Sequence, residues 1–321
     1  MLSSVVFLLI LGLVSNINAG VIGSEFGDVS YDVPIPRGYT REEYVKSVVD
    51  YWTPERMASA KPLHPVISKS QATFFAKTSE NNEIEQVLTP SALLADTRGA
   101  TTPPACGRAF FKMGTNTYVC SGSVVNAANR DTVVTAGHCV FNSTSKQWVT
   151  DFIFVPDYDS KQRPFGTFVS RKLATKQLWK DKGDYNNDVA IVLLNTNENG
   201  QHAQDVTGAF GISLNPAAVA NTNAFGFPMN INSGETMSTC ASASKRPNLL
   251  LMSSFKGLQI TCNMGGGASG GPWLQNYNSA TKQGQQVSVT SFSYSFAPGK
   301  IQGPYFNKDN IGSLFDENQN A

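Results

Sequence analysis

Three short motifs carry a histidine, an aspartate and a serine, side chains that together can turn a hydroxyl into a nucleophile. They occupy residues 135–139, 187–190 and 267–272. A serine hydroxyl attacks poorly until an imidazole takes its proton. The imidazole in turn needs a carboxylate that fixes its tautomer and stabilises its charged form. The sequence therefore predicts that His138, Asp188 and Ser269 act together.

The serine lies in a glycine-rich run, residues 265–271. Glycines permit a tight loop whose backbone N–H groups point into one space. The amides of Gly267 and Ser269 could then stabilise a developing oxyanion. A flexible linker is the alternative interpretation, but the run is short and apolar Met264 and Trp273 flank it. We therefore expect an ordered loop.

His138 follows a predicted strand, residues 132–135, across the small residues Ala136 and Gly137. Cys139 is adjacent and Cys120 comes nineteen positions earlier, so a disulfide could clamp this corner. The other two histidines are weaker candidates. His64 lies in the amino-terminal part of the chain, and His202 lies in a polar loop.

Asp188 is the least specific member of the three. Asp181 and Asp184 are close in sequence, and a surface cluster of aspartates is the ordinary interpretation of such a group. Asp188 is preferred because it directly precedes the apolar run 189–194, which would place its carboxylate beside a core. Asp184 is the main alternative.

Two other kinds of site are disfavoured. Residues 267–271 also match the G-x-S-x-G turn of α/β-hydrolases, but there the histidine follows the serine, whereas the last histidine here is His202. The histidines lack metal-ligand spacing and the cysteines lack paired C-x-x-C spacing. We expect no metal site and no cofactor.

The elements that must position these residues are short strands rich in β-branched and aromatic side chains, separated by turn residues. The pattern predicts an all-β domain, a barrel or a sandwich. The predicted strands are 109–113, 118–125, 132–135, 152–155, 189–194, 287–296 and 305–306. Before them, residues 41 to about 60 show helical spacing with an interruption at Pro54.

Composition and charge narrow the class of protein. The chain has 321 residues and a formal net charge of +1, which gives no reason to expect a nucleic acid or an anionic membrane as partner. Residues 1–19 contain a short apolar run, 5–14, which is typical of a secretory signal. The run is too short to be a transmembrane helix, which needs roughly 20 residues. We expect a secreted protein without a membrane anchor.

Three further features fit an extracellular protein. Five cysteines are present, and secreted chains keep disulfides; because five is odd, at least one thiol lacks a partner within the chain. Asn142 begins a glycosylation acceptor triplet. Residues 20–100 form a distinct segment with a Thr- and Pro-rich boundary at 97–104. We hypothesise that this prosegment blocks or chaperones the site and is cut away near Arg98.

From about residue 110 to 306 the chain resembles the trypsin-like serine peptidases with the chymotrypsin fold. Residues 135–139 and 267–272 carry the resemblance, and 51–57 and 154–156 resemble secreted peptidases of microbes and lower eukaryotes akin to the glutamyl-endopeptidase-like branch. The resemblance implies two six-stranded antiparallel β-barrels in residues 101–321. His138 and Asp188 would come from the first barrel and Ser269 from the second.

The resemblance also implies the pairings Cys120–Cys139 and Cys240–Cys262, which leave Cys106 over. Vertebrate-type members carry an aspartate directly before the serine, which pairs with a new amino terminus on activation. This chain has Ala268 there, so that switch is missing, and the similar-looking string at residues 21–23 lies far from the barrels.

The substrate pocket is also inferred from the resemblance. Its expected residues are Asn263, Ser291, Phe292, Ser293 and Gly303. Ser291 could also donate a hydrogen bond to Asp188. Since no carboxylate is evident in this set, the sequence does not predict a preference for lysine or arginine at the cleaved bond.

Taken together, these residues predict a secreted, monomeric serine endopeptidase that hydrolyses polypeptides through an acyl-enzyme. The alternative is a catalytically inactive peptidase-like binding protein. Such proteins usually lose a member of the triad, and this chain has lost none.

Overall fold

The computed structural model describes residues 27–76, 93–97, 102–247 and 254–321. The predicted signal peptide, the string at 21–23 and Arg98 lie outside these ranges. Within them, no helix is long and apolar enough to cross a membrane.

The described residues form short helices and many short strands, labelled in chain order. The helices are α1 Arg41–Tyr51, α2 Pro54–Ser59, α3 Lys69–Ala76, α4 Gln177–Lys182, α5 Ala203–Thr207 and α6 Ser313–Asn318. The first ten strands are β1 Asp28–Asp32, β2 Lys61–Pro62, β3 Val66–Ile67, β4 Leu93–Thr97, β5 Cys106–Met113, β6 Asn116–Val124, β7 Thr132–Thr135, β8 Phe141–Asn142, β9 Gln147–Trp148 and β10 Thr150–Pro156. The others are β11 Phe168–Lys176, β12 Ala190–Leu194, β13 Gly211–Ile212, β14 Ala220–Gly226, β15 Ser238–Ser244, β16 Leu258–Thr261, β17 Pro272–Asn278, β18 Gln283–Val289, β19 Phe292–Tyr294 and β20 Lys300–Gly303.

The first half of the domain is a closed antiparallel barrel. Its six strands run in the order β11-β10-β5-β6-β7-β12, and β12 pairs back to β11. Large apolar side chains fill the interior, among them the fully buried Phe110, Val133, Phe154 and Ile191. Because closure pairs the strand edges, the barrel holds the ends of β7 and β12 in fixed positions.

The second half contains two sheets. One has the order β13-β18-β17-β14-β15-β4 and the other β16-β20-β19-β3, and a bridge between Lys245 and Gln259 links them. Their shared core contains Leu258, Ile260 and Trp273. The mostly β character predicted from the sequence is confirmed, with one closed barrel and a second set of sheets.

Both expected disulfides are present. Cys120–Cys139 joins β6 to the turn that carries His138, and Cys240–Cys262 joins β15 to the chain just after β16. Cys106 is unpaired and fully buried. Burial raises the pKa of its thiol far above the ordinary value, so the group stays neutral and unreactive.

The amino-terminal segment packs against the first barrel. Thr40 and Glu43 form a capping box at the start of α1, and Pro54 occupies the first turn of α2. Between the two helices, Trp52 is completely buried and its indole N–H donates to the Asp151 carbonyl at 2.7 Å. This segment therefore shares the barrel's hydrophobic core.

Replacing this buried indole should destabilise the full chain. We expect Trp52→Ala to lower the free energy of unfolding by about 3–5 kcal/mol, because the change leaves a large cavity. The measurement is urea unfolding of the full chain, with Ser269→Ala present in every variant because the sequence predicts that Ser269 is a nucleophile. Tyr39→Ala, at a half-exposed position, serves as control. An unchanged unfolding midpoint for Trp52→Ala would contradict the packing described here.

Candidate active site

His138 lies on a single helical turn, Gly137–Cys139, directly after β7. A side chain at Gly137 would collide with Trp179 and Thr175, since its Cβ would lie 2.9 Å from atoms of each. The glycine thus lets the turn pack tightly under the histidine. The imidazole is buried, with 5% of its residue surface exposed, and the disulfide at Cys139 anchors the turn to β6.

Asp188 lies at the entrance of β12 and is fully buried. Its Oδ1 accepts the backbone N–H of His138 at 2.8 Å, and its Oδ2 lies 2.8 Å from His138 Nδ1. The Ser291 hydroxyl donates to the same Oδ2 at 2.5 Å. This arrangement favours a proton on Nδ1 and leaves Nε2 as the proton-accepting nitrogen.

The alternative aspartates make local contacts instead. Asp184 Oδ1 accepts the backbone N–H of Asn186 at 3.1 Å, and its Oδ2 accepts the Asn187 side chain at 2.7 Å. Asp181 accepts the Gln177 side-chain amide at 2.5 Å. The structure therefore brings Asp188, of the three candidates, to the histidine.

Ser269 is held on a loop between β16 and β17. The backbone N–H of Ser121 donates to the Ser269 carbonyl at 2.7 Å, and the Ser121 hydroxyl donates to the Gly267 carbonyl at 2.9 Å. Gly267 has φ +98°, and a Cβ there would lie 2.5 Å from the Phe227 carbonyl oxygen, so glycine is required. In the described part of the chain, the amides of Gly267 and Ser269 donate to no acceptor.

The Ser269 hydroxyl pairs with a histidine that the sequence did not single out. His64 Nδ1 lies 3.0 Å from Ser269 Oγ, and His64 Nε2 lies 3.0 Å from Ser293 Oγ. Meanwhile Nε2 of His138 is buried and has no hydrogen-bond partner among the described residues. The serine is therefore paired with the amino-terminal segment rather than with the predicted base.

Sequence reasoning gave His64 little weight because nothing around it marks a site. The contact joins residues 205 positions apart, and only the scarcity of histidine could have drawn attention to it. Burial lowers the pKa of His64 to about 4; the nearby His138 acts in the same direction and Asp188 opposes it. The ring is therefore neutral near pH 7, with one nitrogen that donates and one that accepts.

A small pocket of about 90 Å³ opens beside the serine loop. Its lining residues are Cys262, Asn263, Met264, Ser293, Tyr294, Ala297, Pro298, Gly299, Lys300 and Ile301. Two of the residues expected in the substrate pocket, Asn263 and Ser293, line this pocket. Ser291 instead bonds Asp188, Phe292 is buried 4.5 Å from the Tyr185 ring, and Gly303 pairs with Leu258 in the sheet.

Two other predicted features lie away from the serine. His202 Nδ1 lies 2.5 Å from Asp131 Oδ2, and Asp131 Oδ1 accepts the Ala203 N–H at 2.9 Å, so this second histidine–aspartate pair holds the start of α5.

The Asn142 side chain accepts the backbone N–H groups of the two residues that follow Ser143. Glycosylation at Asn142 stays a prediction.

The donor set does not suit a resident metal. Within the described ranges, the group of three potential ligands is Cys120, His138 and Cys139. The two sulfurs are bonded to each other, whereas a metal needs thiolates. These residues therefore form no metal centre.

Comparison with known families identifies the class. Residues 120–281, half of the chain, match the family model described as the trypsin-like peptidase domain. The chain belongs to the trypsin-like peptidase family.

Solved structures agree on this class. A protease called Anisep from Arthrobacter nicotinovorans is 33% identical, with a TM-score of 0.63 over 71% of this chain and 100% of that one. A thermostable serine protease, AL20, from an extremophilic microorganism is 30% identical, with a TM-score of 0.62 over 69% and 99%. This protein is accordingly a serine endopeptidase with the chymotrypsin-like fold, as the sequence predicted.

Two more distant similarities are weaker evidence for the class of protein. A Glu endopeptidase structure at 17% identity, with a TM-score of 0.54 over 68% of this chain and 94% of that one, supports the fold. An extracellular metalloprotease of Bacillus subtilis is 28% identical over 136 residues, which is 40% of this chain. The match spans 42% of the length of that relative.

Loss of the Ser291 hydroxyl should slow the reaction without unfolding the protein. We expect Ser291→Ala to lower kcat about tenfold with little change in KM, since a hydrogen bond to a charged group is worth about 1.5 kcal/mol or more. The measurement is steady-state hydrolysis of a peptide substrate. Ser244→Ala is the control, because the hydroxyl of that buried serine donates to the main-chain carbonyls of Ala218 and Ala220 rather than to Asp188. Equal kcat values for both variants would contradict a positioning role.

Proposed function

We propose that the chain is the secreted precursor of an endopeptidase in which Ser269 is the nucleophile, His138 the general base and Asp188 the orienting carboxylate. The observation that carries this proposal is the fully buried Asp188, which accepts both the backbone N–H and Nδ1 of His138. A buried carboxylate aimed at a histidine in this way prepares Nε2 to take a proton.

The reaction would proceed in two halves. Ser269 Oγ attacks the carbonyl carbon of the peptide bond while its proton passes to His138 Nε2. The amides of Gly267 and Ser269 stabilise the oxyanion of the tetrahedral intermediate. His138 then gives the proton to the leaving amine, and an acyl-enzyme remains. Water, deprotonated by the same nitrogen, hydrolyses that ester and restores the serine.

The pocket beside the serine loop is the candidate site for the side chain that precedes the cleaved bond. Its lining residues include no carboxylate, and Lys300 contributes a positive charge. A lysine or arginine of the substrate would find no counter-ion there. We therefore propose polypeptide substrates without a preference for those residues.

The domain organisation is part of this proposal. Residues 1–19 would be a signal peptide, 20–100 a prosegment and 101–321 the peptidase, released near Arg98 and acting as a monomer outside the cell. Two disulfides support an oxidising compartment, and Asn142 would be accessible to glycosylation there.

Labelling tests the nucleophile directly. We expect the processed, secreted protein to react with a fluorophosphonate probe and to hydrolyse casein, and we expect Ser269→Ala to lose both properties because no activated hydroxyl remains. Ser279→Ala, at an exposed position in a turn, should behave as wild type. Undiminished labelling of Ser269→Ala would show that another residue is the nucleophile.

Amino-terminal sequencing of the secreted protein tests the proposed boundary. We expect a start just after Arg98, because the amino-terminal segment covers the serine in the full chain. The comparison is the cell-associated precursor, which should start after the signal peptide. A secreted, active form that begins at residue 20 or 21 would refute removal of the prosegment.

A further inference from the structure

One stretch of the amino-terminal segment, residues 61–67, runs between the two halves of the domain; we call it the inserted segment. At its start β2 pairs parallel with β6, and the Leu63 N–H donates to the Val119 carbonyl at 3.2 Å. At its end β3 pairs parallel with β19. The inserted segment therefore bridges the first barrel and the second set of sheets across the candidate active site.

The centre of the inserted segment holds the nucleophile. The His64 ring lies between two hydroxyls, 3.0 Å from Ser269 Oγ and 3.0 Å from Ser293 Oγ. A neutral imidazole has one donating and one accepting nitrogen, so it satisfies both hydroxyls at once. A serine hydroxyl has a single proton to donate. While Ser269 is paired with His64, the buried Nε2 of His138 has no partner in the described part of the chain.

The contact of the inserted segment with the Ser269 hydroxyl is made by a side chain, and two of its backbone carbonyls are paired elsewhere. Its carbonyls at Pro65 and Ile67 accept the N–H groups of Ser293 and Ser295, both at 3.1 Å. The atom that faces Ser269 Oγ is an imidazole nitrogen, where attack would need a carbonyl carbon about 3–3.5 Å away. No described carbonyl accepts the amides of Gly267 and Ser269.

The direction of pairing explains how the segment can fill the groove without reacting. Both of its pairings are parallel, with β6 and with β19. Parallel and antiparallel strands place their N–H and C=O groups in different registers. A peptide that runs the opposite way would therefore present different groups to the serine loop. In keeping with this, the pocket lining comes wholly from residues 262–264 and 293–301, and none of it belongs to the inserted segment.

Contacts on either side of His64 anchor the segment. Pro62 covers the serine loop closely, since a Cβ at Gly266 would lie 2.8 Å from the Pro62 Cβ. Ile67 is 3% exposed and packs with Phe255, Phe292 and Tyr294 of the second half. These apolar contacts fix the ring position that lets His64 reach the nucleophile.

We propose that the inserted segment is a built-in inhibitor that occupies the groove in a non-cleavable direction and holds Ser269 through His64, and that the same segment, as a separate peptide, inhibits the processed enzyme. This inference rests on the proposed function, because it takes Ser269 as the nucleophile. It goes further by assigning a specific ligand, a peptide strand centred on a neutral histidine, to the catalytic groove.

The first experiment labels the unprocessed full chain with a fluorophosphonate probe and follows the full-length band. We expect His64→Ala to label at least about tenfold faster than wild type, because the competing hydrogen bond to Ser269 is lost. Val66→Ala is the matched control, since Val66 is 56% exposed on the same segment, and it should label at the wild-type rate. Equal rates for wild type and His64→Ala would overturn the inference.

The second experiment does not depend on how a variant precursor folds. A synthetic peptide of residues 54–76 is added to the processed wild-type enzyme. We expect competitive inhibition, an intact peptide by mass spectrometry, and an inhibition constant about tenfold weaker for the His64→Ala peptide. Absent or non-competitive inhibition, or cleavage between residues 61 and 67, would overturn the inference.

The proposed function and the inhibitory role of the inserted segment can be refuted separately. If the processed enzyme does not label, or if a His64→Ala chain that also carries Ser269→Ala still labels, the proposed function is wrong. If the processed enzyme labels at Ser269 but His64 has no effect in either experiment, the function stands and only the inhibitory role of the inserted segment is wrong.

Discussion

A single buried carboxylate, that of Asp188, fixes the geometry on which the candidate active site depends. It accepts hydrogen bonds from the backbone N–H and the Nδ1 of His138, and a third from the Ser291 hydroxyl. A carboxylate without such donors would be costly to bury. The three donors come from the turn after β7 and from the chain between β18 and β19, so the same group ties the first barrel to the second set of sheets.

The Ser269 hydroxyl is paired with the imidazole of His64, whereas the proposed reaction requires the imidazole of His138. The backbone of Ser269 is fixed by Ser121 on one side and by the Gly270 N–H, which donates to the Thr290 carbonyl at 2.7 Å, on the other. Under the proposed function, the full chain and the processed enzyme would differ in the imidazole that pairs with the Ser269 hydroxyl.

Much of the site was predictable because its motifs are local. Residues 135–139 and 267–272 combine a required residue with the small neighbours that let the chain turn tightly. The break between α1 and α2 followed from Pro54. Both disulfides were inferred from the family resemblance, since cysteine positions alone allow several pairings.

Other features depend on long-range register that local sequence does not encode. His64 meets Ser269 only because β2 and β3 pair with strands far along the chain. Residues 305–306 have the composition of a strand but follow the end of β20 in irregular structure. In the pocket, Ile301 is the residue opposite Ser293, two positions before the Gly303 that the sequence suggested. The sequence missed this because the offset between β19 and β20 cannot be read from either strand alone.

Strand β1 would affect the stability of the protein once the proposed prosegment is removed. It pairs with residues 172–176 of β11, and its Asp28 supplies the carboxylate for Lys176, whose side chain is 1% exposed. Removal of residues 20–100 would uncover hydrogen-bonding groups along β11 and take the counter-ion from the buried Lys176 side chain. Among the described residues, the Ser313 hydroxyl would then be its partner, at 2.8 Å. The processed enzyme would then be open to substrate but less stable than the full chain. The exposed edge of β11 would be available to pair with strands of other chains.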